Sequence, residues 1–276
     1  MQERNVVAHP PLDVLCAFGV TEPATRLIGG QGQAFRSGDH ILKPATDDER
    51  TNWIAEFYAG TTLPGFRLPK PIVASNGKYV FKGWQAWGYL SGAHCKDDWE
   101  TVVQCCIAFH REIADVPRPD WMNWIGEIDP WIIADRVAWD EIPWEPHLHL
   151  APLLCELQDC LRPLNLPAQL IHGDFGGNLL LDTLSAPAVI DFSPYWRPAG
   201  FATGIVVADA IVWEGAAESL IDEVHGIDHF DQLLARAEVR RLVELDAAHR
   251  LWGWNTLLEV DAHIPLVHAL VDRCQE

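Results

Sequence analysis

Two short segments carry the side chains with the clearest capacity for chemistry. The first reads IHGDFGGN over 171–178, and the second reads AVIDF over 188–192. Phosphoryl transfer requires a carboxylate near the attacking hydroxyl and hard oxygen ligands for the Mg²⁺ on the triphosphate. Asp174 is suited to orient an acceptor and take its proton, whereas Asn178 and Asp191 are suited to hold the metal.

Both segments contain apolar runs that predict short buried strands. Loops at the ends of such strands place polar groups accurately, which favours a functional site. The alternative is structural, because a glycine-rich turn between two buried strands, capped by Asp174, gives a similar pattern. The order and spacing of several suitable residues favour the functional interpretation.

A second glycine-rich stretch lies over 29–34, between two predicted strands. Glycine at Gly30 and Gly32 lets backbone amides approach phosphate groups closely. The stretch alone is weak evidence, because a plain hairpin turn has a similar sequence.

The elements that must position these residues change type along the chain. The sequence predicts a short helix in PPLDVLCAFGV, three antiparallel strands over 25–43, and a helix over 47–60. Asn76-Gly77, between two apolar runs, predicts a hairpin. Helical spacing in the remainder is clearest over 96–114, 149–161 and 231–257. A small sheet lobe followed by a helical lobe is an α+β arrangement with a cleft between the lobes.

The sequence resembles a known superfamily at these same positions. HGDFGGN, followed thirteen residues later by the aspartate of VIDF, resembles the catalytic and metal loops of aminoglycoside and choline kinase-like phosphotransferases. The resemblance implies a protein kinase-like, two-lobed fold with ATP and Mg²⁺ as cofactors. It implies that Asp174 is catalytic, that Asn178 and Asp191 bind the metal, and that His172 supports the loop. The glycine-rich segments and IDFSPYWRPAG also resemble an actinobacterial branch of this superfamily.

The resemblance assigns roles to further charged residues. Lys43, on the third predicted strand, is expected to contact the α- and β-phosphates of the nucleotide. Glu56 on the following helix is expected to pair with Lys43, and Glu49 is a rival partner. Asp209 is expected to open a helix and to brace the catalytic loop through hydrogen bonds to its backbone.

The resemblance also places the crossing between the lobes at 83–87, where backbone groups bind the adenine. Trp84 or Trp87 is expected to form a wall of the base pocket or, alternatively, simply to pack. The nucleotide-binding lobe is therefore predicted over 1–88, and the catalytic and substrate lobe over 89–276.

Two positions depart from the pattern of the superfamily. The metal-binding asparagine usually lies five residues after the catalytic aspartate, whereas Asn178 lies four after Asp174. The intervening glycines either let the shortened loop reach the metal or leave Asn178 misplaced. Another acidic residue often lies near the position of Asp191, but this chain has SPYWRP over 193–198. Arg197 is suited either to neutralise phosphate charge or to pair with a core carboxylate.

Charge limits the partners of the chain. Lys and Arg number 20 against 39 Asp and Glu, a net charge of −19, which repels nucleic acid and anionic membranes. This acidity favours a cationic acceptor, although solubility alone is another explanation for it. The candidate contacts for such an acceptor, with solvated helix charges as the alternative, are Asp135, Asp140, Glu141 and Glu145.

Length and pattern suggest the cellular setting. The 276 residues suit one large domain or two small lobes that share a cleft. The sequence has neither an apolar run long enough to cross a bilayer nor an N-terminal signal pattern, so a cytoplasmic protein is expected. The seven cysteines are odd in number and match no zinc spacing.

The expected function is ATP–Mg²⁺-dependent transfer of a phosphoryl group to a hydroxyl of a small polar molecule. The alternative is a pseudokinase-like protein that binds a nucleotide or a protein partner without turnover, which the shortened loop favours. Retention of Asp174, Asn178, Asp191 and Lys43 together favours the enzyme. An α/β-hydrolase lacks support, because the sequence has no Gly-x-Ser-x-Gly elbow.

Overall fold

The computed structural model describes most of the chain, which forms two compact units. The described residues are 8–27, 32–45, 47–95, 97–123 and 129–275. The first unit comprises Met1–Ala93 with Leu180–Ile190, and the second comprises His94–Leu179 with Asp191–Glu276. Within the described ranges, no helix is both long and apolar enough to cross a membrane. The functional division into lobes at 88 and 89 stays a prediction.

An antiparallel sheet of five strands dominates the first unit, in the order β1-β2-β3-β5-β4. The strands are β1 (Thr25–Arg26), β2 (Phe35–Ser37), β3 (His40–Pro44), β4 (Val80–Phe81) and β5 (Trp84–Gly88). Phe35 lies opposite Leu42, and Leu42 lies opposite Ala86, so β3 is central and these residues share one apolar face. The three antiparallel strands predicted over 25–43 are confirmed.

The described part of the first unit also contains two helices. α1 (Leu12–Ala17) packs in one apolar cluster with Phe35 of the sheet. α2 (Asp48–Gly60) begins after Asp47, whose carboxylate accepts the backbone N–H of Arg50 at 3.0 Å. Such a cap satisfies one of the unpaired N–H groups in the first helical turn. Both helices agree with the sequence prediction.

The hairpin predicted at Asn76-Gly77 differs from the structure. The turn is present, since Gly77 has φ 76° and Nδ2 of Asn76 donates to the carbonyl of Val80 at 3.1 Å. Such a local side-chain bond competes with a strand ladder. β4 instead pairs with β5 through Lys82 and Gly83, whose φ angles are 49° and 71°. Positive φ at both central residues is the geometry of a type I′ hairpin turn.

A second, smaller sheet has the strand order β6-β8-β9. Its strands are β6 (Ala93–His94), β8 (Leu179–Asp182) and β9 (Ser185–Val189). Gly92, just before β6, has φ 139°, and a Cβ atom there would lie 2.9 Å from the Cβ of Leu180. Glycine is therefore required where the chain approaches β8.

The second unit is mainly helical. Its helices are α3 (Trp99–Glu112), α4 (Pro130–Ala138), α5 (Ala151–Cys160), α6 (Ala199–Trp213), α7 (Leu220–Glu223), α8 (Phe230–Trp252) and α9 (Ile264–Gln275). Single turns or short runs of three-ten helix cover Asp120–Asn123, Gly176–Asn178 and Thr256–His263. The helices predicted over 96–114, 149–161 and 231–257 correspond to α3, α5 and α8. The predicted α+β class is confirmed.

Helix α8 is the centre of the second unit. Its residues from Leu233 to Ala248 are buried on every side, and they include Arg240 and Arg241. Charged groups buried in this way require partners inside the protein. α6 packs closely against α8 because Gly204 has no side chain, and a Cβ atom there would lie 3.1 Å from the carbonyl oxygen of Leu233.

One pair of antiparallel strands runs among these helices. β7 (Gln169–His172) pairs with β10 (Pro194–Arg197), and His172 lies opposite Pro194. Leu170 and Ile171 are fully buried, as expected for the apolar run before the HGD sequence. The pair fixes where the two predicted functional loops begin and end.

Candidate active site

The pairing of β7 with β10 brings the two predicted loops to the same end of the strand pair. Asp174 follows β7 by two residues, and Asp191 precedes β10 by three. Beyond the strands, the backbone N–H of Gly173 donates to the carbonyl of Ser193 at 2.8 Å. Paired strands lie only about 4.8 Å apart. The register therefore places the predicted catalytic residue and one predicted metal ligand on adjoining loops.

A single turn of three-ten helix, Gly176–Asn178, connects Asp174 to Asn178. Nδ2 of Asn178 donates to the backbone carbonyl of Asp174 at 2.6 Å and to its Oδ2 atom at 3.0 Å. These two bonds close the loop that is one residue shorter than the superfamily pattern. The side chain of Asp174 remains 52% exposed and is open to a ligand.

Asn178 and Asp191 offer the donor atoms that a magnesium ion requires. Nδ2 of Asn178 is bound to Asp174, whereas Oδ1 of Asn178 has no hydrogen bond in the described structure. Asp191 is exposed and has φ 48°, a left-handed conformation that aspartate adopts more readily than most residues. An amide oxygen and a carboxylate fit a Mg²⁺ ion that takes further ligands from phosphate and water. The described residues include no cluster of three or more His, Cys, Asp or Glu suited to bind a metal without such help.

Two histidines connect the catalytic loop to helix α3. The backbone N–H of Asp174 donates to Nδ1 of His172 at 3.1 Å. The backbone N–H of His172 donates to Nε2 of His110 at 2.9 Å, and Nδ1 of His110 donates to the carbonyl of Cys106 at 2.7 Å. These partners fix the tautomer of His110, because Nε2 must accept while Nδ1 donates.

His110 is enclosed by protein and is neutral. It is 1% exposed, and burial lowers its pKa to about 3, with the nearby His172 as a smaller cause in the same direction. His110 was not predicted from the sequence. The available signal was its place on the face of α3 that also buries Cys106 and Phe109.

Gly173 is required by the packing around the loop. A Cβ atom at this position would overlap the ring of Tyr195 on β10. The carbonyl of Gly173 accepts a hydrogen bond from Nη1 of Arg240 at 2.8 Å, and the guanidinium carbon lies 4.8 Å from the centroid of the Tyr195 ring. Strand β10 and helix α8 therefore hold the residue before Asp174 from two sides.

Asp209 lies near the end of α6 and not at its start, so its predicted place was wrong. Its carboxylate accepts two bonds from Arg241 of α8, at 2.6 and 2.5 Å. The described structure shows no hydrogen bond between Asp209 and the loop backbone. Arg241, which binds Asp209, has its Nη2 atom 3.8 Å from Oδ1 of Asp174. Burial raises the pKa of Asp209 to about 6, against the lowering effect of Arg241.

Three of the acidic residues considered for a cationic acceptor are ion-paired. Arg197 binds Asp135 at 2.6 Å and Glu141 at 2.5 Å. Asp135 is 6% exposed, so Arg197 pairs with a core carboxylate, one of the two roles considered for it. Asp140 binds an arginine of α8 at 3.1 Å. Asp135 is therefore part of the core of the second unit, whereas Asp140 and Glu141 are paired at its surface and Glu145 is exposed.

The two tryptophans predicted at the base pocket lie on opposite faces of β5, because side chains alternate along a strand. Trp84 is 8% exposed and packs with Phe35 at a centroid distance of 5.8 Å. Of its two predicted roles, the structure shows packing. Trp87 lies on the other face, where Nζ of Lys43 is 5.8 Å from its ring centroid.

The predicted pairing of Lys43 with Glu56 was wrong. Glu56 is exposed, and its side chain makes no hydrogen bond or ion pair in the described chain. α2 turns Ala55 inward, where it is fully buried, and the next side chain points about 100° away around the helix. The rival partner Glu49 is likewise exposed and unpaired among the described residues.

The glycine-rich stretch is described only from Gly32 onwards, so Gly30 lies outside the described residues. Gly32 has φ 65°, which favours glycine, and its carbonyl accepts a hydrogen bond from Arg26. The stretch thus has the glycine-dependent turn that its sequence predicts at this position.

The crossing predicted at 83–87 lies inside a bonded strand. β3 pairs with one edge of β5. At the other edge, the carbonyl of Ala86 accepts the N–H of Ile72 at 2.9 Å, and the N–H of Gly88 donates to the carbonyl of Lys70 at 2.8 Å. These backbone groups are therefore already bonded within the first unit, and the N–H of Tyr89, just beyond the strand, likewise donates to the carbonyl of Asp39 at 2.8 Å.

A family model described as the phosphotransferase enzyme family matches residues 52–195, which is more than half of the chain. The matched segment contains Asp174, Asn178 and Asp191. No curated protein matches the sequence significantly.

Solved structures share the fold over nearly the whole chain. A spectinomycin phosphotransferase in complex with ADP and spectinomycin is 16% identical, with a TM-score of 0.57 over 95% of this chain and 96% of that chain. A thermostable aminoglycoside phosphotransferase mutant in ternary complex with AMP-PNP and hygromycin B is 13% identical, with a TM-score of 0.60 over 95% and 97%. A choline/ethanolamine kinase family protein from Mesorhizobium loti is 14% identical, with a TM-score of 0.56 over 91% and 89%. The predicted kinase-like fold is confirmed, and the actinobacterial branch stays a prediction.

Proposed function

The chain belongs to the phosphotransferase enzyme family, and on that premise we propose that it transfers the terminal phosphoryl group of ATP, with Mg²⁺, to a hydroxyl of a small polar molecule. The observation that carries this proposal is the arrangement at the end of β7 and β10. Asp174 lies there half exposed, with Asn178 bound to it and Asp191 on the adjoining loop. A carboxylate for the acceptor and oxygen ligands for the metal are the groups that phosphoryl transfer requires.

Asp174 has the role of orienting the acceptor hydroxyl and accepting its proton. Its Oδ2 atom is engaged by Asn178, whereas its Oδ1 atom has no hydrogen bond in the described chain. His172 and Arg240 bind the N–H and the carbonyl of the peptide bond between Gly173 and Asp174, just before the carboxylate. A carboxylate fixed in this way is preorganised to orient the acceptor hydroxyl for in-line attack on the terminal phosphorus of ATP and to accept its proton.

Asn178 and Asp191 would hold the magnesium ion, through one amide oxygen and one carboxylate. When bound, the ion neutralises charge on the triphosphate and orients its terminal phosphoryl group. The solved relatives that carry ADP and AMP-PNP support an adenine nucleotide as the donor.

We assign the phosphates of the nucleotide to Lys43 and to the glycine-rich stretch that includes Gly30 and Gly32. Lys43 and Trp87 share one face of the sheet, which places a cation beside an aromatic wall. Glu56 has no part in this assignment, because it is exposed and unpaired in the described structure.

The acceptor is proposed to be cationic. The net charge of −19 favours such a molecule. Glu214, at the end of α6, adds to the negative potential near the catalytic loop: burial raises its pKa, and the charge of Asp174 raises it further. Solved relatives in complex with spectinomycin and hygromycin B support a small-molecule acceptor.

A phosphorylation screen tests the proposal. Wild-type protein, Asp174→Asn and the exposed-acid control Glu156→Gln are incubated with ATP, Mg²⁺ and a panel of aminoglycosides, amino alcohols and sugars, and products are detected by ³¹P NMR. The wild type and the control should phosphorylate the same acceptor. Asp174→Asn should keep its ATP affinity while turnover falls by about 10²–10⁴-fold. Unchanged turnover in Asp174→Asn would remove Asp174 from the reaction.

Nucleotide binding without turnover is the second candidate function. The contact between Nδ2 of Asn178 and Oδ2 of Asp174 favours it, because it occupies one of the two carboxylate oxygens and leaves only Oδ1 for an acceptor. In that case the wild type binds ATP but modifies no acceptor. Inserting one residue between Gly176 and Gly177 restores the usual spacing, and a gain of ATP hydrolysis would support this candidate. Loss of an existing activity on insertion would show that the short loop is the working form.

A further inference from the structure

Helix α8 reaches the catalytic loop with two consecutive buried arginines. Arg240 is 1% exposed and Arg241 is 6% exposed. Consecutive helical residues point about 100° apart, so the two side chains reach different parts of the loop. Nη1 of Arg240 donates to the carbonyl of Gly173 at 2.8 Å, and Nη2 of Arg241 lies 3.8 Å from Oδ1 of Asp174.

Most donors of Arg241 already have partners. Nε and Nη2 bind Asp209 at 2.6 and 2.5 Å, and Nη1 binds Glu244 at 2.6 Å. A guanidinium has five N–H groups, two of them on Nη2. The second N–H of Nη2 is therefore not used by Asp209, and Nη2 is the atom that approaches Asp174.

Glu244 joins the two arginines. Its Oε2 atom binds Arg241, and its Oε1 atom lies 3.0 Å from Nε of Arg240, an ion-pair contact and not a hydrogen bond. We call these four residues, Arg240, Arg241, Asp209 and Glu244, the arginine clamp. Two positive and two negative charges balance within it, so their mutual pairing offsets the cost of burying them.

Arg241 is also fixed by an aromatic neighbour. Its guanidinium carbon lies 5.7 Å from the centroid of Trp213, the last residue of α6. A cation held by two carboxylates and a ring has little freedom to reorient. It therefore presents a stationary charge to the catalytic carboxylate.

Resting on the proposed phosphotransfer, we propose that Arg241 is a positioning residue of the reaction, which holds the carboxylate of Asp174 in place while Arg240 holds the preceding carbonyl. Asn178 binds the same carboxylate at Oδ2, and Arg241 faces it at Oδ1. The distance of 3.8 Å exceeds a hydrogen bond, so Oδ1 keeps its capacity to bind an acceptor hydroxyl. Small displacements of such a group cost large factors in rate.

The variants must separate positioning from folding. Replacing Arg241 alone leaves Asp209 buried without its partner, which destabilises the fold for reasons unrelated to Asp174. The double variant Asp209→Asn/Arg241→Gln removes both charges, and Arg241→Lys keeps a charge facing Asp209. The control is Arg236→Gln, a buried arginine of the same helix that binds the carbonyl of Ala138 at 2.6 Å.

Hydrogen–deuterium exchange of the peptide over 170–179 is measured with kcat, the Kd for ATP and Tm. In the double variant we expect the loop amides to exchange on the order of 10-fold faster and kcat to fall on the order of 10²-fold. The Kd for ATP should change by less than about threefold, because nucleotide contacts are untouched. Arg241→Lys should be intermediate, and Arg236→Gln should alter neither loop exchange nor kcat.

The proposal would be overturned if either Arg241 variant is folded and has the same loop exchange and kcat as the wild type. Loop exchange in Arg236→Gln as fast as in the double variant would also overturn the proposal, because it would show that the faster exchange reflects a general loss of stability. If the wild-type protein itself transfers no phosphoryl group, the proposed function fails, while loop exchange still decides whether Arg241 orders the loop.

Discussion

Nε2 of His110 accepts the backbone N–H of His172 at 2.9 Å, in a buried contact between helix α3 and strand β7. Because β7 ends two residues before Asp174, this bond ties the start of the catalytic loop to the helical core. An imidazole nitrogen accepts a hydrogen bond only when it is unprotonated. The order of the loop therefore depends on a neutral histidine that lies outside the site.

The stability of the protein should fall in mild acid because of His110. Its pKa is about 3 in the folded chain and about 6.5 in the unfolded chain. Between these values the unfolded state binds more protons, so the stabilising contribution is complete above pH 6.5 and is lost as the pH falls toward 3. From pH 7 to pH 5, His110 should account for a loss of about 2 kcal/mol in the free energy of unfolding. Urea unfolding of the wild type and His110→Gln measures the difference, with the exposed His149→Gln as control; equal pH sensitivity in all three would refute it.

Gly173→Ala should disorder the site. The added Cβ overlaps the Tyr195 ring, and overpacking of this kind costs about 1–3 kcal/mol. Phosphoryl transfer should fall with stability, because Gly173 adjoins Asp174. Gly177→Ala is the matched control, since a Cβ there meets nothing within 4 Å. Thermal unfolding compares the two variants, and similar Tm values would contradict the packing argument.

Arg197→Met should be strongly destabilising. Burial raises the pKa of Asp135 and Arg197 lowers it, so losing the arginine leaves an uncompensated buried acid. Removing one partner of such a pair costs about 3–5 kcal/mol. The double variant Asp135→Leu/Arg197→Met should recover most of that free energy in urea unfolding. A double variant no more stable than Arg197→Met would show that the charge pair is not the cause.

Asp191→Ala should abolish the Mg²⁺-dependent part of the thermal shift produced by ATP. A ligand that binds only the folded state stabilises it by mass action and so raises Tm. At a ligand concentration 100 times Kd, the free energy of unfolding rises by about 2.7 kcal/mol. Glu56→Gln should leave the shift intact, because Glu56 is exposed and unpaired in the described structure. If Asp191→Ala kept the Mg²⁺-dependent shift and Glu56→Gln lost it, Glu56 and not Asp191 would be the residue that supports metal binding.

The sequence sufficed for what is local or periodic. The alternating and helical patterns predicted the strands over 25–43 and helices α2, α3, α5 and α8, because period and capping are encoded within each segment. The HGD and IDF segments predicted Asp174 and Asp191 on loops at the ends of short apolar strands. The register of β7 against β10 then supplied the geometry.

Long-range partners were beyond the sequence. Arg241 meets Asp209 and Asp174 only because the glycine-dependent packing of α6 against α8 brings them together. Glu56 was predicted inward although the burial of Ala55 turns it outward. Such contacts depend on the rotation of a helix about its axis, which a single sequence specifies poorly when its apolar face is narrow.

The placement of Trp84 and Trp87 on opposite faces of β5 has an optical consequence. The fluorescence of an indole responds to nearby charge, and Trp87 has the ammonium group of Lys43 at 5.8 Å from its ring centroid. A phosphate bound at Lys43 would change the electric field across that ring, while Trp84, sealed against Phe35, would emit unchanged. One strand thus carries one indole beside the proposed phosphate site and another that is shielded from it.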